Sequence, residues 1–211
     1  MRTAKAGTGA DVKLARYDAL HFAAIDRNLS GVQPPEPGEV LFAVSQQDFN
    51  AYTLIRWLIG DAVCDDLFVT TFNVNSDILR AFAGLLDDGR VGRFSLVLSQ
   101  SIESRMPERV EDLRALWTAR ADRFRVALCW NHSKVSCLAL ADGRRYVVTG
   151  SGNFSFNAET EQYEVWAGEE PYAWWRSVLE KRAFPEGGPP PPSARARAGK
   201  SSRAHKVWGA D

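Results

Sequence analysis

Histidine is scarce in this 211-residue chain, which has three: His21, His132 and His205. Cysteine is as scarce, and Cys64, Cys129 and Cys137 form an odd set without metal-ligand spacing. Cys64 and Cys129 lie in or beside apolar runs and read as buried, reduced thiols, which favours a reducing compartment. Net charge is missing altogether, since 26 Lys and Arg balance 26 Asp and Glu. The whole molecule therefore offers no field to attract a polyanion, and any basic surface must come from local clustering. No apolar run approaches the roughly 18 residues of a membrane helix, and the longest candidate, LIRWLIGDAV, is broken by Arg56 and Asp61. The N-terminus has basic residues but neither the continuous apolar stretch nor the small-residue cleavage site of a secretion signal. HExxH, Walker A and GxGxxG spacings are all absent. These absences predict a soluble, cytoplasmic protein with no membrane partner, no metal and no cofactor.

What is present is enough for one well-packed domain, with 45% apolar residues. Residues 1–12 are small and polar. Apolar positions over 13–29 recur near helical spacing, and QPPEPG at 33–38 is a turn-rich break, so residues 1–38 read as an N-terminal helix and a Pro-rich connection. From there strand-like and helix-like segments alternate: a strand over 40–44, a helix over 48–61 starting at Asp48, a buried strand over 67–74, a helix from Ser76 stopped at Gly89. A strand over 94–99 and a helix opened by Pro107 follow. A strand over 124–130 then leads into His132. Strands over 134–140 and 145–149, joined by Asp142-Gly143, form a hairpin. A strand over 161–167 and a Trp-bearing helix over 171–183 complete residues 39–184. The order predicts an α/β domain with a mixed β-sheet flanked by helices.

Composition changes abruptly at Pro185. The segment 185–211 has four consecutive prolines and five Lys or Arg, and reads as a disordered basic Pro-rich tail. It is either a solubilising end or a flexible arm that touches phosphate through its charges.

Two short segments carry the chemistry, NHSK at 131–134 and TGSGNFSFNAETEQYEVW at 149–166. Phosphodiesters resist hydrolysis because their anionic oxygens repel nucleophiles, so cleavage needs positive donors around phosphorus and a proton manager for each alkoxide. His132 can attack phosphorus if a carboxylate holds its other ring nitrogen. Lys134 can neutralise phosphate charge, and its two-residue offset from His132 directs both to one side. Ser151 and Asn153, also two apart, offer further donors, while Gly150 and Gly152 let the backbone come close to phosphate. Taken singly, each has an ordinary alternative: a structural histidine, a solvated lysine, a plain turn, a surface carboxylate at Glu164. Trp166, Trp174 and Trp175 read as core aromatics or as base-stacking residues. Arg120, Arg123, Arg125, Arg144 and Arg145 read as a solvated face or a phosphate-binding surface.

HSK followed by GSGNFSFNAETEQYE resembles the HxK…GSxN motif of the phospholipase D superfamily, close to its short single-motif bacterial nucleases. LFVTTFNVNSDILRAF at 67–82 is similar to the strand–helix unit before the motif, and the likeness spans roughly residues 40–168. It implies a phospholipase D-like catalytic domain over 39–184. It also implies His132 as nucleophile or general acid, Lys134, Ser151 and Asn153 as phosphate ligands, and Glu164 as the residue that orients the imidazole. The family pattern HxKxxxxD places an Asp at 139, where this chain has Ala139; Asp142 is the nearest acid, in a turn.

The resemblance further implies that two motifs meet at one site. His21 and His205 carry no second motif, so a symmetric homodimer is expected to bring two His132 side chains together. The expected activity is that of a hydrolase: metal-independent phosphodiester cleavage, as an endonuclease on DNA or RNA through a phosphohistidine. Two rivals remain open. One is a nucleic-acid-binding or assembly module that keeps the pocket without turnover; the other is a phospholipid hydrolase or transferase.

Overall fold

A computed structural model describes residues 25, 27–46, 49–154, 160–185 and 206–208. Most of the helix expected over 13–29 lies outside the described residues, as do His21, His205, Asp48 and most of the tail. Within the described residues an eight-stranded sheet forms the centre. Its strands are β1 (Val40–Ser45), β2 (Cys64–Thr71), β3 (Val91–Ser99), β4 (Phe124–Cys129), β5 (Val135–Leu140), β6 (Arg145–Gly150), β7 (Glu161–Ala167) and β8 (Lys206–Trp208). The helices are α1 (Ala51–Ile59), α2 (Ser76–Asp87), the single turn α3 (Ile102–Arg105), α4 (Pro107–Thr118) and α5 (Glu169–Ala183). Strand order is β1-β7-β6-β5-β2-β3-β4-β8. Pairs β2–β3 and β3–β4 are parallel and the others antiparallel, so the sheet is mixed, as its alternating pattern predicted.

Side-chain alternation assigns the two faces. Leu67, Val69, Leu96, Leu98, Val126, Leu138 and Val148 point to a large core shared with α1, α2 and α4. Inside it Phe82, Phe94 and Phe124 stack in series, with ring centroids 4.7 and 4.9 Å apart. Phe68, Val97, Ala127, Cys137 and Val147 point the other way, onto α5 through Leu179 and Ala183. All three thiols are buried. Burial pushes Cys64 and Cys137 up to about 12, which leaves them unreactive while folded.

Beneath α5 the packing is partly ionic. Arg176 donates to Asp66 on β2 at 3.1 Å and to Glu180, and Arg125 on β4 donates to Glu180 at 2.9 and 3.1 Å. Both guanidiniums also lie over aromatic rings, Arg176 over Phe68 and Arg125 over Phe184. Glu180 feels burial, which raises its pKa, but hydrogen bonds from Arg125 and Arg176 outweigh it and hold the carboxyl below its ordinary value.

Several boundaries differ from expectation for local reasons. Helix α1 starts after Asn50, which forms a reciprocal capping box with Thr53, and not at Asp48. Strand β2 begins at Cys64 and ends at Thr71, because Asn75 caps α2 by accepting from the Ile78 amide at 2.8 Å. The last three described residues, 206–208, fall in the segment read as disordered, yet they pair antiparallel with β4. The edge of β4 offers unpaired backbone groups. Trp208 adds a ring contact with Trp117 at 5.9 Å, and Lys206 an ion pair with Glu103 at 2.5 Å.

Ala139, where the motif pattern has an acid, is buried on β5 beneath α5. Its register partner on β2 is Asp66, and its partner on β6 is Arg145. The carboxylate on this row of the sheet is thus carried by the neighbouring strand. Asp142 makes the turn: it accepts from the Arg144 amide at 3.1 Å and from its guanidinium at 2.6 and 2.9 Å, while Gly143 takes a φ of 93°.

Candidate active site

The β4–β5 connection with the start of β5, the end of β6 and the outward-facing residues of β7 meet on the α5 side of the sheet. Their cleft, about 530 Å³, is lined by His132, Lys134, Thr149, Ser151, Glu164 and Trp166, with Trp175 of α5 closing one side.

His132 sits on the connection after β4, in a turn built by Asn131. That asparagine is buried; its amide nitrogen donates to the Thr71 carbonyl at 3.1 Å, and its oxygen accepts from the Ser133 amide at 3.2 Å. The turn leaves the His132 ring exposed, resting on Phe72 with centroids 5.1 Å apart. Lys134 donates through Nζ to the His132 carbonyl at 3.2 Å. Partial burial lowers the Lys134 pKa, and the Glu161 carboxylate opposes that shift.

The second segment is fastened from behind. Phe154 is fully buried against Phe82, and its carbonyl accepts from the Asn75 amide at 2.7 Å. Ser151 faces the cleft, where its hydroxyl donates to Glu161 and accepts from the Gln162 amide at 3.1 Å. Gly150 has to be glycine for a reason other than phosphate: a Cβ there would stand 2.6 Å from the Gln162 carbonyl oxygen and from the Tyr163 ring. Its bareness lets β7 close against β6.

The cleft brings together His132, Lys134, Ser151 and Glu164 of the expected set. Asn153 does not line it; its side-chain oxygen accepts from Thr71 at 3.4 Å. Among the described residues Glu164 makes no hydrogen bond to the imidazole. Its Oε2 accepts from Thr149 Oγ1 and from Trp166 Nε1, each at 3.1 Å. The tryptophans divide: Trp166, 36% exposed, lines the cleft with Trp175, which also packs on the core beneath α5, while the exposed Trp174 lies against Trp175 outside the cleft lining.

Sequence reasoning missed Glu161 and Asn131 as members of the site, and weighed Trp166 only as a core or base-stacking aromatic, not as a partner of Glu164. An Asx turn before the histidine was the one available signal for Asn131. Glu161 and Trp166 could be found only from the β6–β7 register. Among the described residues no cluster of three His, Cys, Asp or Glu is placed to hold a metal ion.

Fold and cleft together define an α/β protein with a mixed sheet and an open cleft lined by His132 and Lys134 on the α5 side. The fold is the phospholipase D fold, as the sequence resemblance implied. A phospholipase D family member, Nuc from Salmonella typhimurium, superposes with a TM-score of 0.50 at 17% identity, covering 68% of this chain and 93% of that one. Polyphosphate kinase from Porphyromonas gingivalis gives 0.53 at 12% identity, over 74% of this chain but only 27% of the kinase. NucT from Helicobacter pylori gives 0.48 at 16% identity, over 68% and 95%. No family model matches the sequence, and neither does any curated protein.

Proposed function

We propose that the protein is a metal-independent phosphodiesterase, an endonuclease acting on DNA or RNA at a homodimeric site. The observation that carries this reading is the convergence of His132, Lys134, Ser151 and Glu164 on one open cleft. In the first step a ring nitrogen of His132 attacks phosphorus in line; the P–N bond forms as the P–O bond to the leaving nucleoside breaks. One imidazole cannot be both nucleophile and acid, so His132 of the partner subunit protonates the departing oxygen. Water then attacks phosphorus, gives its proton to that second imidazole, and releases the first.

Lys134 supplies the positive charge on the equatorial oxygens. Asn153 donates through its amide nitrogen, its oxygen being held by Thr71. Ser151 reaches phosphate by turning its hydroxyl away from Glu161. A second copy is supported by the uncovered strip beside the cleft: Phe42 is 72% exposed and Val44 64%, and Phe42 lies directly across from Glu164. The basic tail supports nucleic acid over lipid.

The test is nicking of supercoiled plasmid in excess EDTA. Wild type is expected to nick, and His132→Ala to lose at least about a thousandfold while keeping most phosphate affinity. Cleavage that EDTA stops, or that the variant retains, would sink the proposal. One observation favours the binding-module reading, namely the absence of a bond between Glu164 and His132 in the single protomer. Retention of DNA without nicking by wild-type dimer would establish that alternative.

A further inference from the structure

Two donors meet on one oxygen of Glu164. Thr149 is its direct partner across β6 and β7, and Trp166 lies two residues along β7 on the same face. Both bonds, each 3.1 Å, end on Oε2, and among the described residues Oε1 accepts none. The terminal torsion of a glutamate is broad and roughly two-fold, so an unrestrained carboxylate exchanges its oxygens freely. Thr149 is β-branched on a strand and stiff at χ1. Trp166 lines the cleft, and its indole N–H donates to the carboxylate.

We infer that Trp166 and Thr149 are positioning residues, clamping Glu164 by one oxygen so that the other is presented to His132 in the cleft. The inference rests on the reading that Glu164 orients His132. It adds a requirement for the indole N–H that neither composition nor motif carries. Indole is suited to this place because it is donor-only: it cannot turn an acceptor toward the carboxylate, as an amide side chain could.

The experiment uses Trp166→Phe and Thr149→Val, each made in wild type and in Glu164→Gln, with bis(4-nitrophenyl) phosphate as the probe. Phe keeps a ring in the cleft wall and removes only the donor. Loss of one hydrogen bond to a charged group is expected to lower kcat roughly ten- to a hundredfold, with KM unchanged. In the Glu164→Gln background the same changes should cost nothing further, because the group they act through is already altered. A Trp166→Phe variant with normal kcat, or one that loses as much in both backgrounds, would overturn the clamp. The ring-nitrogen NMR signals of His132 give a readout that needs no turnover. Trp166→Phe should move them in wild type and leave them in place in Glu164→Gln; signals unmoved in wild type count against the clamp. A wild type that neither nicks plasmid nor hydrolyses the probe refutes the proposed function, and these signals then decide the clamp alone.

Discussion

Lys134 is the lysine of the cleft lining among the described residues, and two effects pull its pKa in opposite directions: partial burial lowers it and Glu161 raises it. The net shift is downward, so the ammonium loses its proton at a lower pH than an ordinary lysine. Oligonucleotide binding by His132→Ala protein should therefore weaken as pH rises through that lowered value. Glu161→Gln removes the carboxylate that opposes the shift and should bring the fall to a lower pH still. Fluorescence anisotropy across the alkaline range measures both, and an unchanged midpoint in Glu161→Gln would remove Glu161 from the site's electrostatics. The residue types at 132, 134, 151 and 164 were legible from the sequence because their chemistry is scarce and their spacing tight. Glu161 was not, since a carboxylate's partner depends on which strand lies beside it.

Strand pairing decides what surrounds Ala139, the position where the HxKxxxxD pattern that this sequence resembles has an acid. Ala139 lies opposite Asp66 on the face beneath α5, and Asp66 is already engaged by Arg176 at 3.1 Å. A carboxylate at 139 would set two like charges directly across from each other in a buried layer. Ala139→Asp is expected to destabilise the fold by about 1–3 kcal/mol, and to cost less in an Asp66→Asn background, where the repulsion is gone. Urea denaturation of the two singles and the double measures this coupling; equal costs in both backgrounds would show that the two positions do not repel. The hairpin carrying Asp142 was readable because Asp-Gly specifies its own turn. The pairing of Asp66 on β2 with Ala139 on β5 was not, because those positions lie far apart in the chain.

Across the whole molecule, α5 is joined to the sheet as much by charge as by apolar contact. The Glu180 carboxylate, paired with Arg125 and Arg176, keeps a folded pKa below its unfolded one. Its contribution to stability is present above the unfolded carboxyl value and is lost as pH falls through the depressed folded value. Wild type should be more stable than Glu180→Gln at neutral pH, and the gap should close in acid. Urea midpoints at about pH 7 and pH 3 measure it, and a gap that persists at low pH would assign the difference to packing instead of charge. Because α5 also supplies Trp175 to the cleft wall, its loosening in acid should widen the site before the main core, built on apolar contact, gives way.

The alternation of apolar runs, the Pro107 helix start, the Asp-Gly turn and the two motif segments were determined by the sequence alone. Each depends on neighbours within a few residues, where backbone geometry and hydrogen-bonding chemistry act directly. Tertiary structure decided what depends on strands that meet from distant parts of the chain. Across β6 and β7 it put Thr149 and Trp166 on one oxygen of Glu164 and turned Ser151 to Glu161. It also set Asp66 beside Ala139, lined the cleft with Trp166 and Trp175 and drew residues 206–208 onto the edge of β4. These contacts follow from register and from which surface α5 leaves uncovered, and neither quantity is written in the local order of residues.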